Sequence, residues 1–199
     1  MLATKVNPEP LDVLNCLRVL AMAHVVFSHT FLFSVMMRPV RNVDAFLDAF
    51  EHPSIFLLYS GYYAVDTFFW MSGLLAGYLM LGAMQKSGSI NAPLAYLHRY
   101  LRLVPCLLFA IFFYWTVSNQ FTSGPRAFKM NEWYDNCPDR WWWNIIFINN
   151  FQGEEESCYG LAWYLANDFQ FFLITPLILY IYSKARVGGW LSLLVLSMV

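Results

Sequence analysis

The chain has 199 residues, of which 59% are hydrophobic, 19% aromatic and only 13% charged, with a formal net charge of −1 and a mean hydropathy of +0.46. An ordinary soluble domain is about 25% charged, so this composition excludes a water-facing globule and a disordered chain alike. There is no basic tract to hold nucleic acid, and four cysteines without a CxxC pair make neither a disulfide scaffold nor a thiolate metal site.

What is left is an all-α, polytopic membrane protein, and its spans can be taken in order. The first apolar run, residues 19–37, has no Asp, Glu, Lys or Arg, and a spanning helix needs about 20 apolar residues. The second run, 55–84, is interrupted only by Asp66. The third, 103–125, has Pro105 near its start, and the fourth, 161–183, is interrupted only by Asp168. A fifth begins near Gly188 and is still running at Val199. Allowing for helix ends, the expected spans are 14–37, 58–84, 100–123 and 161–183, with 188–199 as part of a fifth. An outer loop is expected over 124–160. A chain ending inside an apolar run is expected to be a piece of a longer protein. The first run starts too late and is too long for a cleavable signal peptide.

Alternate loops differ in their Lys and Arg content, which predicts orientation. Lys5, Arg18, Lys86, Arg99, Arg102, Lys184 and Arg186 fall on one side, against Arg38, Arg41, Arg126, Lys129 and Arg140 on the other. The first set, with the N-terminal end, is expected in the cytoplasm. Cys137 and Cys158 both lie in the long third loop, on the outer side, and a disulfide between them is expected in an oxidising compartment. Trp133, Tyr134 and Trp141–Trp143 of the same loop suit an interfacial aromatic belt. Cys16 and Cys106 fall near cytoplasmic span ends and are expected to be free thiols.

Ionisable residues inside the membrane are costly, so each is a functional candidate. Arg18 lies at the cytoplasmic end of the first span. His29 is eleven residues further on, about 16 Å higher at the helical rise per residue. Counting inward from the outer ends of their spans puts Asp66 and Asp168 on the level of His29. Arg18, Arg99 and Arg102 form a second level at the cytoplasmic face, and the i,i+3 spacing of Arg99 and Arg102 points both the same way on a helix. Arginines suit phosphates through bidentate hydrogen bonds. A histidine with nearby carboxylates suits general base catalysis. Each residue also has a simpler reading. The arginines obey the positive-inside rule. His29 could be satisfied by a neighbouring helix, Asp66 could pair locally, and Asp168 and Gln170 could bridge helices. His24, five residues before His29, points to another face and is expected to be structural. Glu154–Glu156 read as a solvated loop run. No Gly-rich phosphate loop, zinc motif or nucleophile elbow is present.

Four ordered segments together are similar to one family. Arg18-x10-His29, within Leu17-Arg18-Val19-Leu20-Ala21, resembles the first-helix motif of the acyltransferase 3 family. Val65-Asp66-Thr67-Phe68-Phe69-Trp70-Met71-Ser72-Gly73 resembles its second-helix segment. Arg99-Tyr100-Leu101-Arg102-Leu103-Val104-Pro105 resembles its Arg-x-x-Arg segment. Trp163-Tyr164-Leu165-Ala166-Asn167-Asp168-Phe169-Gln170-Phe171 resembles its later Trp-x-Leu and acidic-x-Gln segment. The Cys137–Cys158 loop, with Trp142, Trp143 and Asn149-Asn150-Phe151, is similar to the animal nose-resistant-to-fluoxetine-like branch. Val104 stands where that branch often has Thr, and Phe169 where it often has Met.

The resemblance implies an integral membrane O-acyltransferase domain of about ten helices, of which this chain holds the N-terminal part. It implies acyl-CoA as donor substrate, an unidentified hydroxyl acceptor, a bilayer setting, and neither a bound cofactor nor a metal. Its motif residues are Arg18, His29, Arg99 and Arg102. On this expectation Arg99 and Arg102, supported by Arg18, bind the donor phosphates. His29 acts as base or carries the acyl group, and Asp66 or Asp168 fixes its tautomer. The competing expectation is a transporter or lipid-handling protein without chemistry, since polar midplane residues and helix-breaking prolines occur there too.

Overall fold

The computed structural model describes residues 12–37, 51–121, 123, 127–153 and 156–184, with the single positions 42, 44 and 48. The regular structure among them is helical, without a strand. The principal helices are α1 (Asp12–Met37), α2 (Ser54–Tyr59), α3 (Gly61–Ser87), α4 (Ala92–Phe112), α5 (Ala127–Ile145) and α6 (Trp163–Lys184). Among the described residues, four stretches are long and apolar enough to cross a bilayer: Asp12–Ser34, Ile55–Ser87, Ala92–Ser118 and Gly160–Lys184. Much of their apolar surface points outward, as at Leu20, Phe27, Trp70, Leu79, Phe109 and Leu177. In lipid this costs nothing, while the helices satisfy their own backbone groups. The chain is a multi-pass membrane protein. The expected fifth span, 188–199, lies outside the described residues. So do Lys5, Arg38, Arg41, Arg126 and Arg186 of the charge count, Glu154 and Glu155, and the side chains of Lys129 and Trp133.

The third span differs from expectation at its start. The apolar run predicts a start near residue 100, but α4 begins at Ala92. The cause is a pair of local signals. Gly88 takes φ +74° and donates its N–H to Met84 O at 2.8 Å, which ends α3 in the left-handed conformation glycine tolerates. Asn91 then accepts from Leu94 N at 3.2 Å, with a proline in the first turn, a capping arrangement that opens α4 at once. Beyond Phe112 the helix widens into a π-helical stretch, Phe113–Ser118.

The chain divides into two compact units, residues 1–72 and 73–199. In the first, α1 packs against the corner between α2 and α3. There His24 Nε2 donates to Leu57 O at 2.7 Å, 3.3 Å from Ser60 Oγ. In the second, a core of Leu107, Ile111, Cys137, Phe147, Cys158, Ala162, Ala166 and Phe169 joins α4, α6 and the segment between them.

Cys137 and Cys158 form the expected disulfide, 21 residues apart in sequence and fully buried in this core. Cys16 and Cys106 are free and exposed. The segment between α4 and α6 also contains the ion pair Arg140 Nη1–Glu156 Oε2 at 3.1 Å. Closing this loop covalently restricts the unfolded chain. Cys137→Ser is therefore expected to cost about 3 kcal/mol by the chain-entropy estimate. Denaturant unfolding of the variant beside wild type, with non-reducing mass mapping of the wild-type thiols, checks both bond and magnitude.

Candidate functional site

Arg18 and His29 share one edge of α1, because eleven residues are three helical turns plus about 20°. Arg18 is exposed, and among the described residues its bond is a long contact, 3.4 Å, with Asn15 Oδ1 on the preceding turn. Arg18, Met22, Val26 and Thr30, with Phe68 of α3, line an open apolar groove of about 850 Å³ along this helix.

His29 is half-buried, with Phe33 beside its ring at 6.1 Å between centroids. Its Nδ1 lies 2.9 Å from Val25 O, one turn back. A carbonyl oxygen can only accept, so Nδ1 holds the proton and Nε2 is the basic nitrogen of the neutral ring. Nε2 makes no hydrogen bond to a described residue. His24 has the opposite arrangement: its Nε2 is the donor, engaged by Leu57 O. The two histidines of α1 thus divide, one used in packing and one presenting a base.

A backbone carbonyl, not a carboxylate, sets the His29 tautomer, which corrects the expectation for Asp66 and Asp168. A helical histidine can reach the carbonyl four residues back without help from a second helix. Asp66 is exposed on α3 and makes no ion pair with a described residue.

Asp168 is 7% exposed and forms an ion pair with Arg99 Nη2 through Oδ2. The Arg99 guanidinium also lies over the Phe172 ring, 4.3 Å from its centroid, a cation–π contact. Tyr96 Oη donates to Leu173 O at 2.7 Å, and the Tyr100 ring meets Phe147 and Phe169 edge-on at 6.0 and 6.2 Å. Residues 96–100 of α4 therefore lie alongside 168–173 of α6. This overturns the separation of Arg99 and Asp168 into two membrane levels. The physical reason is the early start of α4, which puts Arg99 two turns inside the helix rather than at its end. Arg102, one turn further, is exposed.

The segment before α6 is clamped to the same part of α6. Gln170 Nε2 donates to Phe147 O at 2.8 Å and to Asn150 Oδ1 at 2.9 Å. Asn150 Nδ2 donates to Asn167 Oδ1 at 2.8 Å and to Gln170 Oε1 at 3.1 Å. The expected bridging thus divides: Asp168 joins α6 to α4, and Gln170 joins α6 to the loop. Phe147 takes φ +57°, costly for an aromatic residue, and is held there by the Gln170 bond and by stacking on Phe169 at 4.5 Å. Neither the clamp nor the strained turn has a signal in sequence spacing. Nearby, burial pushes the Tyr159 hydroxyl above its ordinary pKa, so it stays neutral. The described residues contain no group of His, Cys, Asp and Glu able to hold a metal ion.

The sequence and these elements can be set beside known proteins. A family model described as an acyltransferase domain matches residues 11–199. Nose resistant to fluoxetine protein 6 of Caenorhabditis elegans is 29% identical over 210 residues, covering 96% of this chain. The chain spans about a quarter of that protein's length, 25%. No solved structure matches. The match runs through all four membrane helices and every motif segment described above, and the chain belongs to the acyltransferase 3 family, with its likeness in the nose-resistant-to-fluoxetine-like branch.

Proposed function

We propose that the full-length protein is a membrane O-acyltransferase that moves an acyl group from acyl-CoA to a hydroxyl acceptor. The observation that supports this most is on α1: a histidine with its Nδ1 tied to Val25 O and its Nε2 not bonded to any described residue, on the same helix edge as Arg18. Nε2 takes the proton of the acceptor hydroxyl. The freed oxygen attacks the thioester carbonyl, the C–S bond breaks, and CoA leaves as a thiolate that takes up a proton. General base assistance of this kind is worth roughly 10²–10⁴ in rate.

The donor phosphates are met by arginine. Arg102 is the exposed member of the Arg-x-x-Arg pair, while Arg99 is held by Asp168 and Phe172. Asp168 in this reading is the counter-ion that fixes Arg99 rather than a partner of His29. The disulfide supports a reading in which the segment between α4 and α6 faces an oxidising compartment. By alternation of the spans, the N-terminal end and the start of α4 lie in the cytoplasm, where acyl-CoA is available.

Arg102→Lys is expected to weaken CoA binding although the charge is kept, because an ammonium cannot reproduce the planar guanidinium fork. Equilibrium binding of CoA to the full-length variant checks this. The reading as a whole is tested by acyl-CoA-dependent release of free CoA from the full-length protein. Release that rises with added hydroxyl acceptor supports it. Substrate flux across vesicles without CoA release favours a transporter instead.

A further inference from the structure

α1 meets the α2–α3 corner at one especially close point. His24 and Ser28, one turn apart on α1, both face that corner. His24 is bonded to Leu57 O, and Ser28 lies directly on Gly61, the buried first residue of α3. A Cβ built on Gly61 would overlap both Cβ and Oγ of Ser28. The Ser28 hydroxyl is buried there without a hydrogen-bond partner among the described residues, so packing rather than a polar bond defines the contact. A small residue at such a crossing lets two helices approach through their backbones.

Ser28 precedes His29 in the same rigid helix. We propose that Gly61 is a positioning residue for His29: its missing side chain sets how closely α1 seats on the corner, and so where the His29 ring stands. This rests on the acyl-transfer reading above. Carbon atoms in contact sit about 3.5–4.0 Å apart, and one of the overlapping atoms is Ser28 Cβ, which no rotamer change moves away. A methyl at position 61 must therefore displace α1 by about an ångström, and the hydrogen bond of His24 to Leu57 O serves as the pivot. Reacting groups misplaced by about 1 Å lose on the order of 10²-fold in rate.

The test uses the full-length protein and four variants: Gly61→Ala, Ser28→Gly with Gly61→Ala, Ser28→Ala with Gly61→Ala, and His29→Ala. Turnover and donor KM are measured. The imidazole ¹⁵N signals of histidine-labelled protein are recorded alongside, His29 being assigned by its loss in His29→Ala. Gly61→Ala is expected to lower kcat roughly 10²-fold with donor KM little changed, since binding is not what the displacement removes. Ser28→Gly should restore kcat by removing the opposing Cβ. Ser28→Ala keeps that Cβ and should not. A Gly61→Ala protein with wild-type kcat beside an inactive His29→Ala overturns the proposal, as does a loss that Ser28→Gly leaves unrepaired. If His29→Ala itself keeps turnover, the acyl-transfer role fails separately, and the spectra then decide. His29 signals that move in Gly61→Ala and return with Ser28→Gly sustain the positioning role, and unmoved signals end it.

Discussion

Asp168→Ala is expected to destabilise the protein by about 3–5 kcal/mol, the range for breaking one partner of a buried ion pair. Arg99 and Asp168 are 22% and 9% exposed at their side chains, so neither is well hydrated, and removal of the carboxylate leaves a guanidinium whose charge was compensated by it. Arg99→Met is expected to do comparable damage by stranding the carboxylate. The double variant Arg99→Met with Asp168→Leu should recover most of the loss, because an apolar pair of similar volume avoids the desolvation of both charges. Unfolding midpoints of all three in one detergent check the cycle. Single variants that unfold with wild type would mean that the pair does not tie α4 to α6, and that Arg99 is available to the donor after all.

His29→Ala is expected to lower turnover by roughly 10²-fold or more, the scale of general base catalysis. His24→Ala should act differently. Its Nε2 is bonded to Leu57 O at 2.7 Å, so its loss removes a packing hydrogen bond, worth about 1 kcal/mol net and more if the carbonyl is left unsatisfied. The expected result is lower stability with a smaller change in chemistry, through looser seating of α1. Their five-residue spacing turns the two side chains about 140° apart on the helix, which is why one meets the corner and the other does not. Turnover per folded molecule, measured for both variants, separates the two roles.

The membrane helices are legible in sequence because spanning a bilayer demands an uninterrupted apolar run, and four such runs stand out between loops. The disulfide is legible because two cysteines share one loop. The start of α4 was hidden by composition: residues 94–102 include His98, Arg99 and Arg102, so the apolar run begins late, although Asn91 and Pro93 already mark a helix start. A helix starting at the apolar run would put Arg99 at its end, whereas Arg99 sits inside α4, opposite Asp168. The stagger of α4 against α6 follows from side-chain packing, with the Tyr100 ring edge-on to the stacked Phe147 and Phe169, and no single-helix count contains it. Residue type points to a carboxylate as the tautomer partner of His29, whereas an ordinary carbonyl four residues back supplies it. The pairing of Asn150 with Gln170 joins segments 20 residues apart, where only the folded chain brings the amides together.

The measurement closest to the central claim is acyl-CoA turnover and CoA binding, read on the same preparations of full-length wild type and His29→Ala at matched expression. The account predicts acceptor-dependent release of CoA by wild type, lost by roughly 10²-fold or more in the variant. CoA affinity should be unchanged, because the proposed phosphate contact is Arg102, not His29. Retained turnover in His29→Ala would contradict it.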